Sequence, residues 1–236
     1  MLTIIGAGHV FDIKKAVREA ILARSPAVVA LELDPGRLYA LQHPERRGRP
    51  PMMYGLLALT QQRLAGEYGT EAGGEMLAAA DAAQECGAKV ALIDRDAMAV
   101  FSELMRIPFK EKVQVAWAIL MGTFVSKKTV EKEMARYQEA EEQYLDEFAK
   151  EFPSLMKVLV DDRNRIMADA MRGLVNEHGA VVAVVGDGHV PGITKHLADI
   201  SPEVIRLKEL QHPRADGASF SFTVSASPGS GTDLNP

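Results

Sequence analysis

The sequence has one cysteine and one tryptophan among 236 residues, and aromatic residues make up only 6% of it. A lone Cys86 cannot form an internal disulfide, which excludes a stapled scaffold. It sits in an Ala-rich helical pattern and reads as a small core hydrophobe. Glycine and proline, at 19 and 12, are too few for a fibrous chain, and 47% hydrophobic residues are too many for a disordered one. No basic tail or stripe offsets the net charge of −5, which argues against nucleic acid as the main partner. No long apolar run is present. Val113 to Val125 is interrupted by Gln114 and covers about two-thirds of the ~20 residues a spanning helix needs. Met1 to Gly8 is apolar but lacks a basic n-region, so it reads as a first strand rather than a signal peptide. The expectation is a soluble, cytoplasmic chain. Also missing are a Walker loop, a Cys-rich zinc motif, a His-Glu-x-x-His helix and a Ser-centred nucleophile elbow.

What is there is a repeated grammar. Four short apolar runs end abruptly in polar residues. Leu2–Ile5 ends in Gly6-Ala7-Gly8-His9, and Ala27–Leu31 ends in Glu32-Leu33-Asp34. Lys89–Ile93 ends in Asp94-Arg95-Asp96, and Ala180–Val185 ends in Gly186-Asp187-Gly188-His189. Runs without polar alternation suggest strands buried on both faces, as in a parallel sheet. Helical patterns lie between them. Ile13, Val17, Ala20, Ile21 and Arg24 mark one, closed by Ser25-Pro26, and Met76, Leu77, Ala80, Ala83 and Gln84 mark another, closed by Gly87. Strand–helix alternation predicts an α/β fold with a mainly parallel central sheet flanked by helices.

Between Ala97 and Asn176 no convincing strand pattern occurs, so an all-helical insertion of about 97–176 is expected before the last core strand. Its stretch Thr129–Phe152 is highly charged, with Val130, Met134, Tyr137, Tyr144, Leu145 and Phe148 at helical spacing. A solvated helix face accounts for the charges, and a partner helix or second protomer is the sharper alternative, which makes a homodimer plausible. The core domain is expected over 1–200, followed by an extension over 201–224. There Glu203–Leu207 reads as a fifth strand and Ser219–Val224 as a short edge strand. Residues 225–236 read as a weakly ordered tail.

Ligands of open α/β sheets bind beyond the carboxyl ends of the strands, and here all four ends carry reactive groups. Gly6 and Gly186 can leave the strand with unusual backbone angles, and Gly8 and Gly188 let backbone or ligand approach closely. Each pair presents a His on a turn. Two imidazoles and one carboxylate suffice as the inner shell of a catalytic divalent metal with an open position, here His9, Glu32 and His189. Metal-bound water would attack a carbonyl, and Arg95 or Arg163 would stabilise the oxyanion. Asp94 and Arg95 can equally pair with each other, and Glu32 with a cation such as Arg37 or Arg95. A dinucleotide reading of Gly6-x-Gly8 followed by the acids Glu32 and Asp34 is weakened by Phe11 in place of the third glycine.

The ordered motifs Gly6-Ala7-Gly8-His9, Val28–Asp34 with Arg37, Ala91–Asp96, Asp161–Met167 and Val181–Ile193 resemble those of the TraB/PrgY family, which is related to the TIKI metalloproteases. The resemblance runs over about Met1 to Leu197. It implies a fold like that of erythromycin esterase and ChaN, with the paired Gly-x-x-His motifs and the strand-end Glu as active-site elements. Those are Gly6 and His9, Gly186 and His189, and Glu32. The family's arginine-bearing motif maps to Asp162-Arg163-Asn164. It is usually Glu-Arg-Asp, so Asn164 replaces its acidic third residue. TIKI-like activity would mean a divalent metal, Mn or Co before Zn, and peptide cleavage. TraB and PrgY are instead linked to shutting down peptide pheromone signalling. The expected activity is metal-dependent hydrolysis of a peptide or amide bond. The alternatives are a peptide-binding or sequestering protein, or a metal-free hydrolase with one His as general base.

Overall fold

A computed structural model of the chain describes residues 1–8, 13–44, 73–122 and 147–211. His9, most of the charged stretch 129–152, the edge strand expected at 219–224 and the tail lie outside the described residues.

The first half alternates strand and helix as its apolar runs dictate. Strand β1 is Leu2–Ala7, helix α1 is Lys14–Arg24, β2 is Val28–Leu31 and α2 is Pro35–Gln42. Helix α3, Gly74–Glu85, leads into β3, Lys89–Leu92. Local chemistry sets the ends. Ser25 closes α1 in the left-handed region, its N–H reaching the carbonyls of Ile21 and Leu22. Asp34 caps α2 by accepting the Arg37 N–H at 3.0 Å, with Pro35 at the first helical position. Gly87, at φ +72°, supplies the reversal after α3 that a side chain would resist.

The described residues between β3 and the next strand are helical, as the sequence predicts. Helices α4 (Ala97–Leu104) and α5 (Phe109–Gly122) come first. A short helix α6 (Pro153–Met156), a π-helical turn (Lys157–Asp161) and the long α7 (Asp162–His178) then run on continuously. Strand β4 (Val181–Gly186) follows, then a 3₁₀ turn over Asp187–His189, helix α8 (Val190–His196), β5 (Glu203–Ile205) and α9 (Leu207–Gln211).

The five strands are all parallel, in the order β3-β2-β4-β1-β5. Side chains alternate between two cores. One face packs Ile5, Val29, Leu31, Val182 and Val184 under α1 and α3 through Val17, Ile21, Met76 and Ala79. The other packs Ile4, Val28, Ala30, Val181, Ala183 and Val185 under α7 and α8 through Met167, Met171 and Ile193. Each fully buried Ile, Leu or Met contributes about 1.5–3 kcal/mol. This three-layer arrangement explains why the strands lack polar alternation. Two expectations are corrected. Among the described residues β3 is an edge strand with β2 as its one neighbour, and its Val90 is 41% exposed rather than buried on both faces. Cys86 is half-buried at the end of α3, beside the core rather than within it.

Candidate active site at the carboxyl edge of the sheet

The register puts three strand ends at one level. Leu31 pairs with Val184 of β4 and with Leu92 of β3, so the next residues of β2, β3 and β4 emerge together. After β2 the chain continues toward β3. After β4 it continues toward β5, on the opposite side. A crevice between strands whose connections diverge is where open α/β sheets bind ligands. Glu32 leaves β2 here, Asp94 leaves β3, and Gly186 with His189 leaves β4.

The cation that unites them comes from the insertion. Arg163, in the first turn of α7, donates Nε–H to Asp94 Oδ1 at 2.9 Å and Nη2–H to Asp94 Oδ2 at 2.6 Å. Nη2 also donates to Glu32 Oε1, and Nη1 donates to the Leu159 carbonyl of the π-helical turn at 3.1 Å. Four of the five guanidinium N–H groups therefore have partners. Arg37 adds a second cation, bridging Asp34 (Nε to Oδ2, 2.7 Å) and Asp94. Burial alone would raise the Asp94 carboxyl, but hydrogen bonds and charge from Arg163 and Arg37 outweigh it and hold it below the ordinary carboxylate range. Burial likewise opposes the Arg163 charge, and Asp94 and Glu32 more than offset it, so the guanidinium stays firmly protonated.

Glu32 is held at both oxygens. Oε1 accepts from Arg163, and Oε2 accepts the Gly186 N–H at 2.6 Å. Gly186 leaves β4 at an ordinary φ of −57°, and a Cβ there would make an ordinary contact with Oε2 at 3.4 Å, so the unusual backbone angle expected at this glycine is not found. His189 faces the same carboxylate, with Nε2 3.4 Å from Glu32 Oε1. Its other nitrogen, Nδ1, lies 2.6 Å from Asn164 Oδ1. An amide oxygen can only accept, so this contact suits the tautomer with the proton on Nδ1 and a lone pair on Nε2. Burial lowers the His189 pKa, and the charge of Glu32 only partly offsets this, so the ring is neutral near pH 7.

Two further contacts brace the site. Asp187 accepts from Arg206 Nε at 2.9 Å, Arg206 Nη2 at 2.8 Å and the Leu207 N–H at 2.9 Å, which ties the Gly186–His189 turn to the start of α9. A Cβ on Gly6 would sit 2.1 Å from Asp187 Oδ1, so this glycine makes room for the carboxylate. Glu111 of α5 accepts the N–H groups of Ser154 and Leu155 at 3.0 and 3.2 Å. It thereby caps the helical run that delivers Arg163.

Of the residues singled out from sequence, Glu32, Asp94, Arg163, Gly186 and His189 come together. Gly6 reaches the site through Asp187. Gly8 follows β1, Gly188 lies in the 3₁₀ turn between Asp187 and His189, and His9 lies outside the described residues. Two candidates point elsewhere. The Arg95 guanidinium is bonded to Glu103 of α4 at 2.8 Å, and Asp94 takes only its backbone N–H, at 2.7 Å. Asp162 pairs with Lys157 near the surface. Sequence reasoning named Asn164 and Asp34 without these roles, and it overlooked Glu111. Arg37, one of the two cations that could have paired with Glu32, is bonded to Asp94 and Asp34 instead.

Glu32 and His189 are metal-ligand types, but the described residues do not by themselves fit a resident divalent ion. Both Glu32 oxygens are engaged, one by a cation. Among the described residues no three His, Cys, Asp or Glu side chains are grouped to hold a metal.

The all-parallel α/β sheet thus sets Glu32 and Asp94 on an arginine from the insertion, with His189 beside Glu32. The model of the TraB/PrgY/gumN family matches residues 2–202, and the chain belongs to that family. Among curated proteins it is 31% identical over 208 residues to the uncharacterized protein MJ1365 of Methanocaldococcus jannaschii, covering 82% of this chain and 52% of that protein. It is 26% identical over 233 residues to a TraB domain-containing protein of Mus musculus, covering 82% of this chain and 61% of that one. The chain thus spans between half and two-thirds of the length of these relatives. No helix among the described residues is long and apolar enough to cross a membrane.

Proposed function

We propose that this chain is a hydrolase of a peptide or amide bond, with water activated at His189. One observation carries the reading: a neutral imidazole, fixed through Nδ1, presents Nε2 to the crevice 3.4 Å from the Glu32 carboxylate. Nε2 accepts a proton from water as that water adds to the carbonyl, and Glu32 stabilises the imidazolium that forms. Arg163 holds Glu32 in place, and its remaining Nη1–H is the group left to meet a developing oxyanion. Asp94 and Arg37 keep that guanidinium in position.

The family resemblance supports a second reading, in which His9, Glu32 and His189 hold a divalent metal, Mn or Co before Zn. The bare Nε2 beside a carboxylate favours it, since metal-ligating imidazoles are commonly fixed through their other nitrogen. It requires the metal to share or displace the contact of Arg163 with Glu32. A third reading keeps the same crevice for binding a peptide without turnover.

One experiment separates them. The metal content of the purified chain is measured, and melting shifts with Mn, Co, Zn and Mg are compared for wild type and His189→Ala. A peptide-cleavage screen is then run with and without chelator. Cleavage that survives chelation and is lost in His189→Ala supports the general-base reading. A metal-induced melting shift of wild type that His189→Ala loses, with cleavage abolished by chelation, transfers support to the metal reading. Undiminished cleavage in His189→Ala overturns both, and peptide binding without cleavage supports the third.

A further inference from the structure

We propose that Asn164 and Gly192 form a positioning pair that fixes the tautomer of His189. The inference rests on the reading of His189 as the working group and names what makes its Nε2 available. Among the described residues, each ring nitrogen of His189 has a polar neighbour: Asn164 Oδ1 at 2.6 Å from Nδ1 and Glu32 Oε1 at 3.4 Å from Nε2. A neutral imidazole has one proton to give. Donated to Glu32, it would leave Nε2 with no lone pair for water or metal. The much shorter contact to Asn164 holds the proton on the far side.

Asn164 can do this only if its amide stays in place, and Gly192 bears on that directly. Asn164 is buried on α7, one residue beyond Arg163, with 4% of its surface exposed. A Cβ on Gly192 would lie 2.1 Å from its Nδ2 and 2.9 Å from its Cγ. Gly192 is inside α8, where glycine costs about 1 kcal/mol relative to alanine. The amide occupies the space that a side chain at 192 would take. Two motifs far apart in sequence, Asp162-Arg163-Asn164 and His189-Val190-Pro191-Gly192, are thus halves of one device. The same turn of α7 supplies the cation for Glu32 through Arg163 and the acceptor for His189 through Asn164.

The test is the ¹⁵N NMR spectrum of the intact chain labelled at histidine. It is recorded at about pH 8, where the ring is neutral, and the His189 signals are assigned by their loss in His189→Asn. Wild type is expected to show a protonated Nδ1 and a bare Nε2. Asn164→Ala moves the proton to Nε2, and Gly192→Ala does the same by displacing the amide. Asn164→Asp keeps an acceptor and retains the wild-type pattern. With a cleavable peptide in hand, Asn164→Ala lowers kcat by about 10–100-fold with little change in KM, and Asn164→Asp restores most of it. A protonated Nε2 in wild type overturns the proposal, and so does an unchanged tautomer in Asn164→Ala or Gly192→Ala. Should Asn164→Ala fail to fold, the wild-type and Gly192→Ala spectra decide. The expected tautomer in a chain that cleaves nothing would overturn the hydrolase reading and leave the positioning pair standing.

Discussion

Replacing Arg163 by Met should cost this protein more than any other single change at the crevice. The Asp94 side chain is 1% exposed and that of Glu32 11%, and the Arg163 side chain between them is 14% exposed. Met fills a similar volume but leaves two carboxylates facing a site with one fewer cation. Removing one partner of a buried pair costs about 3–5 kcal/mol. Arg37 still holds Asp94, so the lower end, about 3 kcal/mol, is expected. At about 2–4 °C per kcal/mol for a chain of this size, Tm should fall by about 6–12 °C at pH 7. The deficit should depend on pH in a definite direction. Asp94 is held below its ordinary range when folded. Its pairing therefore stabilises the fold above the unfolded carboxyl pKa of about 4, and this is lost as pH falls through the lower folded value. Thermal or urea unfolding of wild type and Arg163→Met, followed from about pH 7 down to about pH 3, should show the two curves converging on the acid side. A deficit under about 1 kcal/mol at neutral pH, or one that stays constant on acidification, would refute the reasoning.

Three other outcomes are expected. Hydrolytic rate should fall on acidification through the His189 pKa, which burial places below the usual histidine value. Glu32→Gln removes a charge that raises that pKa and should move the acid limb further down, and a limb that moves up in a pH–rate profile would contradict the arrangement. Glu111→Ala removes the acceptor of two helix N–H groups and should lower stability by about 1 kcal/mol, read as a Tm decrease of about 2–4 °C. Gly6→Ala forces a methyl against a pinned carboxylate and should destabilise by about 1–3 kcal/mol in urea unfolding, and a neutral result would mean that Asp187 can move away.

The strand ends were legible because a buried parallel strand writes itself as an unbroken apolar run, and the first polar residue after it marks the sheet edge. Glu32 and Asp94 could be collected on that ground alone, and His189 through the Gly-x-Gly-His turn that follows its strand. The order of the strands could not, because nothing in a local pattern says that β4 lies between β2 and β1. Arg163 was found through the family motif and the helical spacing around it. Its partners are 69 and 131 residues away, a separation no local signal spans. Arg95 shows the opposite failure. It follows Asp94 directly, yet its side chain turns outward to Glu103 while Arg37, from another element, takes the inward place. Asn164 and Gly192 looked like incidental members of their motifs, since their roles exist only once α7 and α8 pack together.

The strand order carries a consequence for how the chain is made. Synthesis delivers β1, β2 and β3 early, but among these only β2 and β3 are neighbours in the finished sheet. β1 waits for β4 on one side and β5 on the other. The middle of the sheet is therefore supplied by the fourth strand, after the whole helical insertion has been translated. Until residues 181–186 emerge, β1 has no partner and β2 shows one bare, apolar edge, the kind of surface that recruits other chains. A nascent chain cut short within the insertion would be a template for aggregation rather than a smaller folded protein, and the segment that fills the middle of the sheet is also the one that leads into His189.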